Sequence, residues 1–202
     1  TIYQQPADID GTTSGISLVN RYATFASEFI TNSTKMSKPF LVYVGFSHMH
    51  VPVVYSPKYA GKSTKGILSD ALMELDDGVG RILMSLTDND VTDNTIIFLT
   101  GDNGPPEDQC DWGGSKGPFM GQWQKTGQNG GSAGKMTSWE GGHREVGVIS
   151  YPASNIPRGS VSHALTTTLD IVPTCAALAN VSLPPHRDFD GMDLSLILFE
   201  GK

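Results

Sequence analysis

The chain has 202 residues, and its 14 Lys and Arg against 21 Asp and Glu give a formal charge of −7. This acidic balance argues against nucleic acid as a default partner, because non-specific binding to phosphates needs basic patches. Charged residues at 17% exclude a highly charged disordered chain, and no apolar run approaches the roughly 20 residues that span a bilayer.

Hydrophobic periodicity in the first half of the chain predicts helices and strands in alternation. Apolar residues at three- and four-residue steps predict helices over 18–30 and 67–86. Continuous apolar runs at 40–46 and 95–100 predict strands that are buried on both faces. This order predicts an α/β fold with a parallel sheet and helices on its faces.

The second half begins with a long glycine-rich loop over 101–142, and loops of such length are usually functional. A third strand is predicted over 146–151. Helical spacing predicts a helix over 162–178, where Pro173 either kinks the helix or starts a new one. A short apolar segment follows at 194–199.

Two cysteines are too few for a disulfide scaffold. Cys110 lies in the polar loop, whereas Cys175 lies in an apolar helical run, where a buried free thiol is expected; a pairing of the two stays open. Asn32 and Asn180 each begin an Asn-x-Ser/Thr glycosylation triplet. The triplets favour a secretory route, and we expect a secreted or lysosomal protein.

Polar side chains follow the predicted strand over 95–100. Asp102 and Asn103 offer a carboxylate and an amide carbonyl on adjacent residues, and oxygen ligands of this kind suit Ca²⁺ or Mg²⁺. The flanking Gly101 and Gly104 let the backbone bend so that both side chains converge. An ordinary Asp-Asn-Gly turn is the competing interpretation.

Two histidines follow the predicted strand over 40–46. In an extended chain His48 and His50 point to the same side, but no third ligand has a spacing that favours a zinc site. One histidine that donates a proton or contacts an anion is the stronger hypothesis, because imidazole titrates near neutrality. A histidine satisfied by its loop is the alternative.

Cationic side chains lie before the third predicted strand. Lys135 follows Gly134, a setting in which a cation can approach a ligand closely and bind an anion as a point charge. A solvated surface lysine is the alternative. Arg144 and Glu140 are expected to form a structural ion pair beside a glycine turn.

The order of these short motifs resembles the sulfatase family. The resemblance covers about residues 18–199, and the stretch at 113–119 is similar to the arylsulfatase A and galactosamine-6-sulfatase branch. The matching segments are His50-Val51-Pro52, Asp102-Asn103-Gly104-Pro105, Gly134-Lys135, 139–145, 72–80, 169–174, 176–179 and 190–194.

The resemblance implies an alkaline-phosphatase-like sheet sandwiched by helices and the hydrolysis of a sulfate monoester beside a bound Ca²⁺. It places Asp102 and Asn103 on two metal ligands, with Asp102 also beside the nucleophile. It places His50 and Lys135 on the residues that contact sulfate, whereas His48 has no firm counterpart. The implied partner is a sulfated small molecule or glycan, and the loop over 105–134 is expected to shape its pocket.

The chain also departs from the family pattern. The family's nucleophile is a Cys converted to formylglycine in a Cys-x-Pro-x-Arg setting, which neither Cys110 nor Cys175 has. The family's Asp-Asp pair near its N-terminus, which supplies the other metal ligands, is also absent, as are the Lys and His that follow the nucleophile. Residues 1–202 are therefore expected to be the C-terminal portion of a sulfatase catalytic domain, a partial domain that is inactive alone and has an incomplete Ca²⁺ ligand set.

Two alternatives accompany this reading. A truncated, non-catalytic protein that binds an anion or Ca²⁺ belongs to a different functional class. A phosphate ester in place of the sulfate ester is disfavoured by the Trp139-Glu140-Gly141-Gly142 block, which is sulfatase-like. A partial domain should also leave one edge or face of its sheet exposed.

Overall fold

A computed structural model describes most of the chain. The described residues are 17–106, 109, 112–119, 134–154, 156 and 158–200. They form two compact units, Thr1–Thr92 with Gly104–Arg144 and Asp93–Asn103 with Glu145–Lys202. Cys110 and much of the predicted pocket loop over 105–134 lie outside the described residues.

The described part of the first unit has the α-helices α1 (Leu18–Lys35), α2 (Ile67–Asp88) and the four-residue α3 (Glu140–His143), and one 3₁₀ turn, Pro57–Tyr59. The predicted starts of α1 and α2 are confirmed. Ser17 caps α1, since its Oγ accepts a hydrogen bond from the Asn20 N–H at 3.2 Å. No helix within the described ranges is both long and apolar enough to cross a membrane.

Helix α1 runs five residues past its predicted end at Ile30 because polar residues take part in the last turns. Ser33 is buried, and the Thr34 hydroxyl donates to the Ile30 carbonyl at 3.0 Å. A hydroxyl that bonds within its own helix needs no loop to satisfy it. The polar residues 31–35 therefore continue the helix.

The packing of α1 against α2 forms the core of the first unit and depends on small residues. A Cβ atom added at Gly78 of α2 would collide with Cγ1 of Val19, which is buried on α1. Glycine therefore sets how closely the two helices approach. The other buried apolar residues of this helix pair are Leu18, Ala23, Ala26, Ile30, Ala71 and Leu86.

The strand predicted at 40–46 is wrong: this stretch pairs with no strand among the described residues. Its side chains alternate between half-buried and exposed, and Tyr43 is 92% exposed. A strand needs a neighbour to satisfy its N–H and C=O groups. The apolar run predicts burial, but it contains no information on which segment would supply that neighbour.

The second unit contains a two-stranded sheet formed by β1 (Ile97–Thr100) and β2 (Gly147–Ser150). The strands are antiparallel, with Ile97 opposite Ser150. The predicted parallel arrangement concerned the runs at 40–46 and 95–100, and β1 pairs with no parallel strand among the described residues. Leu99 and Val148 are each about half exposed, and the predicted burial on both faces is also wrong. The exposed sheet face that we expected is present.

The predicted helix over 162–178 forms only in its second part. A single 3₁₀ turn, Thr168–Asp170, leads into α4 (Ile171–Leu178), and α5 (Ser195–Glu200) matches the last apolar segment. Pro173 lies in the first turn of α4, where its missing N–H has no intrahelical partner to lose. Of the two predicted roles for Pro173, starting a new helix is the observed one.

A network of hydrogen bonds joins α4 to the segment before α5. The buried Asp170 carboxylate accepts from the Thr167 N–H and from the Met192 N–H, each at 2.8 Å. The Thr174 hydroxyl accepts from the Leu194 N–H at 3.0 Å. Apart from Thr167, these residues belong to two of the matching family segments, and here their hydrogen bonds connect α4 to the segment before α5.

Gly78→Ala tests the close packing of α1 and α2, with Gly80→Ala on the same helix as the matched control. Both changes improve helix propensity, but only position 78 faces Val19; nothing lies within 4 Å of a Cβ at position 80. We expect Gly78→Ala to lower the free energy of unfolding by about 1–3 kcal/mol. We expect Gly80→Ala to raise it by about 0.5–1 kcal/mol.

Urea unfolding of the two variants beside the parent protein measures both changes. Equal stabilisation by the two substitutions would contradict the close approach of the helices.

Candidate functional site

The structure brings together the two side chains predicted to contact an anion. Lys135 Nζ lies 3.5 Å from His50 Nε2, although the two residues are 85 positions apart in the sequence. Both belong to the first unit, where His50 is exposed and Lys135 half-buried. One ammonium group and one imidazole therefore face the same point at the surface.

The protonation of His50 follows from its second contact. Its Nδ1 lies 2.7 Å from the Val51 carbonyl oxygen, which can only accept a hydrogen bond. Nδ1 therefore carries the proton. In the neutral ring Nε2 is left with a lone pair, and this nitrogen is the one beside the Lys135 ammonium.

A glycine framework holds Lys135. The Lys135 N–H donates to the Pro105 carbonyl at 2.9 Å, and the Gly104 N–H donates to the Gly142 carbonyl at 2.9 Å. A Cβ at Gly104 would collide with the carbonyl oxygen of Gly141. The Gly-Gly turn and the Gly-Pro segment can therefore approach only because neither carries side chains at the contact.

The same turn carries the ion pair predicted from the sequence. Arg144 Nη1 lies 2.9 Å from Glu140 Oε2, and both side chains are exposed. The Arg144 guanidinium also lies 4.7 Å from the ring centre of Phe119. These contacts assign Arg144 to the support of α3, as expected.

His48 does not share the direction of His50. Residues 47–50 form a turn in which the His50 N–H donates to the Ser47 carbonyl at 3.3 Å and Met49 has a φ of 74°. The side chain of His48 is only 8% exposed, and its Nε2 lies 3.2 Å from Glu74 Oε2. The prediction that the two histidines point the same way assumed an extended chain, and the turn overrides it.

Glu74 was not singled out by the sequence and proves to be a buried carboxylate at 1% exposure. Burial raises its pKa, but hydrogen bonds from Ser17, Ser56 and His48 outweigh burial and hold the pKa below its ordinary value. The Ser56 N–H and hydroxyl donate at 3.0 and 2.8 Å. Glu74 lies at helical spacing between the buried Ala71 and Gly78, and an acidic residue at such a position is the sequence signal for a buried carboxylate.

In the second unit the predicted metal ligands lie at the end of β1. Asp102 is exposed and Asn103 half-buried, and the Asn103 N–H donates to Asp102 Oδ1 at 2.9 Å. A carboxylate offers about four lone-pair positions, so this one hydrogen bond leaves most of them available to a ligand.

A second carboxylate, from Glu145, lies at the same end of the sheet. The β1–β2 register pairs Thr100 with Gly147, and its continuation by two residues places Glu145 opposite Asp102. A Cβ at Gly101 would collide with the Glu145 carboxylate. Burial raises the pKa of Glu145, and the charge of Asp102 raises it further. Sequence reasoning did not single out Glu145, because no spacing in the sequence indicates that the residues before β2 lie beside those after β1.

The oxygen donors of Asp102, Asn103 and Glu145 are of the type that hard divalent cations prefer. No three His, Cys, Asp or Glu residues come together within the described part of the chain. This donor chemistry is compatible with a calcium ion, but three such residues are fewer than the six to eight ligands that Ca²⁺ takes.

The remaining predicted features are a thiol and two glycosylation triplets. Cys175 is a free, half-buried thiol whose pKa is raised by burial. Of the two glycosylation triplets, one begins at the exposed Asn32 within α1. The other begins at the exposed Asn180, which has a φ of 53° just after α4.

Comparison with known proteins identifies the family. The sulfatase family model matches residues 3–181. The chain belongs to the sulfatase family. It is 43% identical over 198 residues to mouse (Mus musculus) arylsulfatase G, covering 98% of this chain and 36% of that protein. It is 34% identical over 201 residues to dog (Canis lupus familiaris) N-acetylgalactosamine-6-sulfatase, covering 99% of this chain and 36% of that protein.

The fold is shared with solved sulfatase structures. A structure described under the metabolism of multiple glycosaminoglycans by Bacteroides thetaiotaomicron superimposes with a TM-score of 0.73 at 28% identity. The match covers 92% of this chain and 37% of that one. The predicted α/β, alkaline-phosphatase-like class is thereby confirmed. The sulfatase chain spans about a third of the length of the curated relatives it matches.

Glu74→Gln tests the buried carboxylate. Because the folded-state pKa of Glu74 lies below its ordinary value of 4.5, its charge stabilises the fold above that pH, and the contribution is lost as pH falls through the lowered pKa. We expect the variant to be about 1.5–3 kcal/mol less stable at pH 7, the range for hydrogen bonds to a charged group.

Denaturant unfolding at pH 7 and near pH 3 measures the difference. The exposed Glu28→Gln on α1 is the control and should change stability by less than about 0.5 kcal/mol. A deficit of Glu74→Gln that does not shrink in acid would contradict the assignment.

Proposed function

We propose that this protein hydrolyses sulfate monoesters and that His50 and Lys135 contact the sulfate group. The observation that carries the proposal is the 3.5 Å approach of Lys135 Nζ to His50 Nε2 in a member of the sulfatase family. The family resemblance assigns both residues to sulfate binding. Because they are 85 positions apart in the sequence, only the folded chain brings them together.

The two side chains supply complementary chemistry. The Lys135 ammonium provides a fixed positive charge for the sulfate oxygens, and charge that develops there in the transition state is stabilised without reorganisation of solvent. The Nδ1–H of His50 donates to the Val51 carbonyl, so Nε2 is the nitrogen that can exchange a proton with an ester oxygen. Protonated at Nε2, His50 can donate to the departing alcohol.

We assign Asp102 and Asn103 as two ligands of a calcium ion, following the family resemblance. When bound, the ion neutralises negative charge on the sulfate oxygens. The Asp102 carboxylate and the Asn103 amide would hold it, and the neighbouring Glu145 carboxylate adds negative potential. A cation would relieve the like-charge contact between Asp102 and Glu145, which supports this assignment.

The substrate is proposed to be a sulfated small molecule or glycan. The names of the relatives, arylsulfatase and N-acetylgalactosamine-6-sulfatase, support this class. We also propose a secreted or lysosomal location, in keeping with the two glycosylation triplets. Because the chain spans about a third of its relatives' length, activity is proposed for the whole protein.

Lys135→Ala and His50→Ala test the anion site in the protein encoded by the complete gene. Each removes one group that faces the sulfate, and we expect kcat/KM for an aryl sulfate to fall about 10²–10³-fold, as for removal of one preorganised donor. The matched control is Lys65→Ala, an exposed lysine of the same unit. Hydrolysis is followed by release of the phenol, and unchanged kcat/KM in both variants would overturn the assignment.

The isolated 202-residue chain is expected to hydrolyse no aryl sulfate, because neither Cys110 nor Cys175 lies in a Cys-x-Pro-x-Arg setting. It should also bind Ca²⁺ weakly, since Asp102 and Asn103 are a partial ligand set. Turnover by the purified chain, or tight Ca²⁺ binding in calorimetry, would contradict these expectations. Weak anion or Ca²⁺ binding without activity from the complete gene product would favour the non-catalytic alternative.

A further inference from the structure

We propose that His48 is a positioning residue for the anion-binding pair of His50 and Lys135. The inference rests on the proposed function, because it concerns how the sulfate-contacting imidazole is held. His48 would act through the turn that it shares with His50, without touching the substrate. Its anchor is the buried carboxylate of Glu74.

The anchor is rigid because Glu74 is fully engaged. Oε1 accepts from the Ser56 hydroxyl at 2.8 Å, while Oε2 accepts from the Ser56 N–H at 3.0 Å and lies 3.2 Å from His48 Nε2. Glu74 lies on α2, whose other contacts to α1 form the core of the unit. The carboxylate therefore ties His48 to the most firmly packed part of its unit.

Within the described part of the chain, the side chain of His50 contacts only Val51 and Lys135 and reaches no buried carboxylate. Its Nδ1 bonds the carbonyl of Val51, the next residue, and so moves with the loop. Its Nε2 lies 3.5 Å from Nζ of Lys135, at the end of a long aliphatic side chain. The position of His50 in space is thus set by the turn over 47–50, and the side chain of that turn that enters the protein interior is His48.

The two histidines use opposite nitrogens for their structural contacts. The Glu74 carboxylate can only accept, so His48 donates from Nε2, whereas His50 donates from Nδ1. A glutamine at position 48 places an amide N–H near the former Nε2 and can restore the bond to Glu74. An alanine cannot. This difference separates loss of the contact from loss of the imidazole itself.

A double-mutant cycle on the complete gene product tests the inference. His48→Ala alone should lower kcat/KM for an aryl sulfate about 10–100-fold, the range for groups that orient a functional residue. In the His50→Ala background the same change should cost less than about threefold, because the residue it positions is gone. His48→Gln should recover most of the activity, and the exposed His163→Gln should leave it unchanged.

Inorganic sulfate supplies a readout besides turnover. As a competitive inhibitor it should bind more weakly to His48→Ala than to the parent or to His48→Gln. Losses that simply multiply in the double variant, or a His48→Gln variant as poor as His48→Ala, would overturn the positioning role. If His50→Ala itself retains full activity, the proposed function fails instead, so the two failures are distinguishable.

Discussion

The buried carboxylate of Glu74 connects the helices of the first unit to its candidate anion site. A carboxylate at 1% exposure is stable only if hydrogen bonds replace its lost water, and Glu74 obtains them from Ser17, Ser56 and His48. These donors come from the cap of α1 and from two positions of the loop before α2. Satisfaction of one side chain therefore fixes the entry of a helix and the course of a loop together.

The turn over 47–50 connects the buried Glu74 carboxylate to the surface. Because His48 turns inward to Glu74 and Met49 takes a left-handed backbone, His50 is left facing outward. Lys135 is placed differently. Gly104 contacts Gly141 and Gly142, and the next residue, Pro105, accepts the backbone hydrogen bond of Lys135. The 3.5 Å approach of His50 to Lys135 thus depends on two separate features, a buried carboxylate and a close contact between two backbone segments.

The sequence predicts best those features that are decided locally. The periodicity of α1 and α2 gives both helix starts, since each helix buries its stripe against the other. Strand pairing depends on partners that are distant in sequence, so the run at 40–46 reads as a strand without forming one, and Glu145 escaped notice until the antiparallel register placed it opposite Asp102. His50 and Lys135 were found from motif order, but their proximity was not deducible from spacing.

The net charge of −7 is compatible with an anion site because many of the acidic groups are committed elsewhere. Asp70 accepts the N–H groups of Gly61 and Ser63, while Asp77 accepts from Tyr59 at 2.6 Å and lies 3.3 Å from Lys58. The Lys58 ammonium offsets the charge of Asp77, and the N–H dipoles of Gly61 and Ser63 stabilise the charge of Asp70 where it stands. What a sulfate ester meets near Lys135 is the local arrangement of charge, and the total is a poor guide to it.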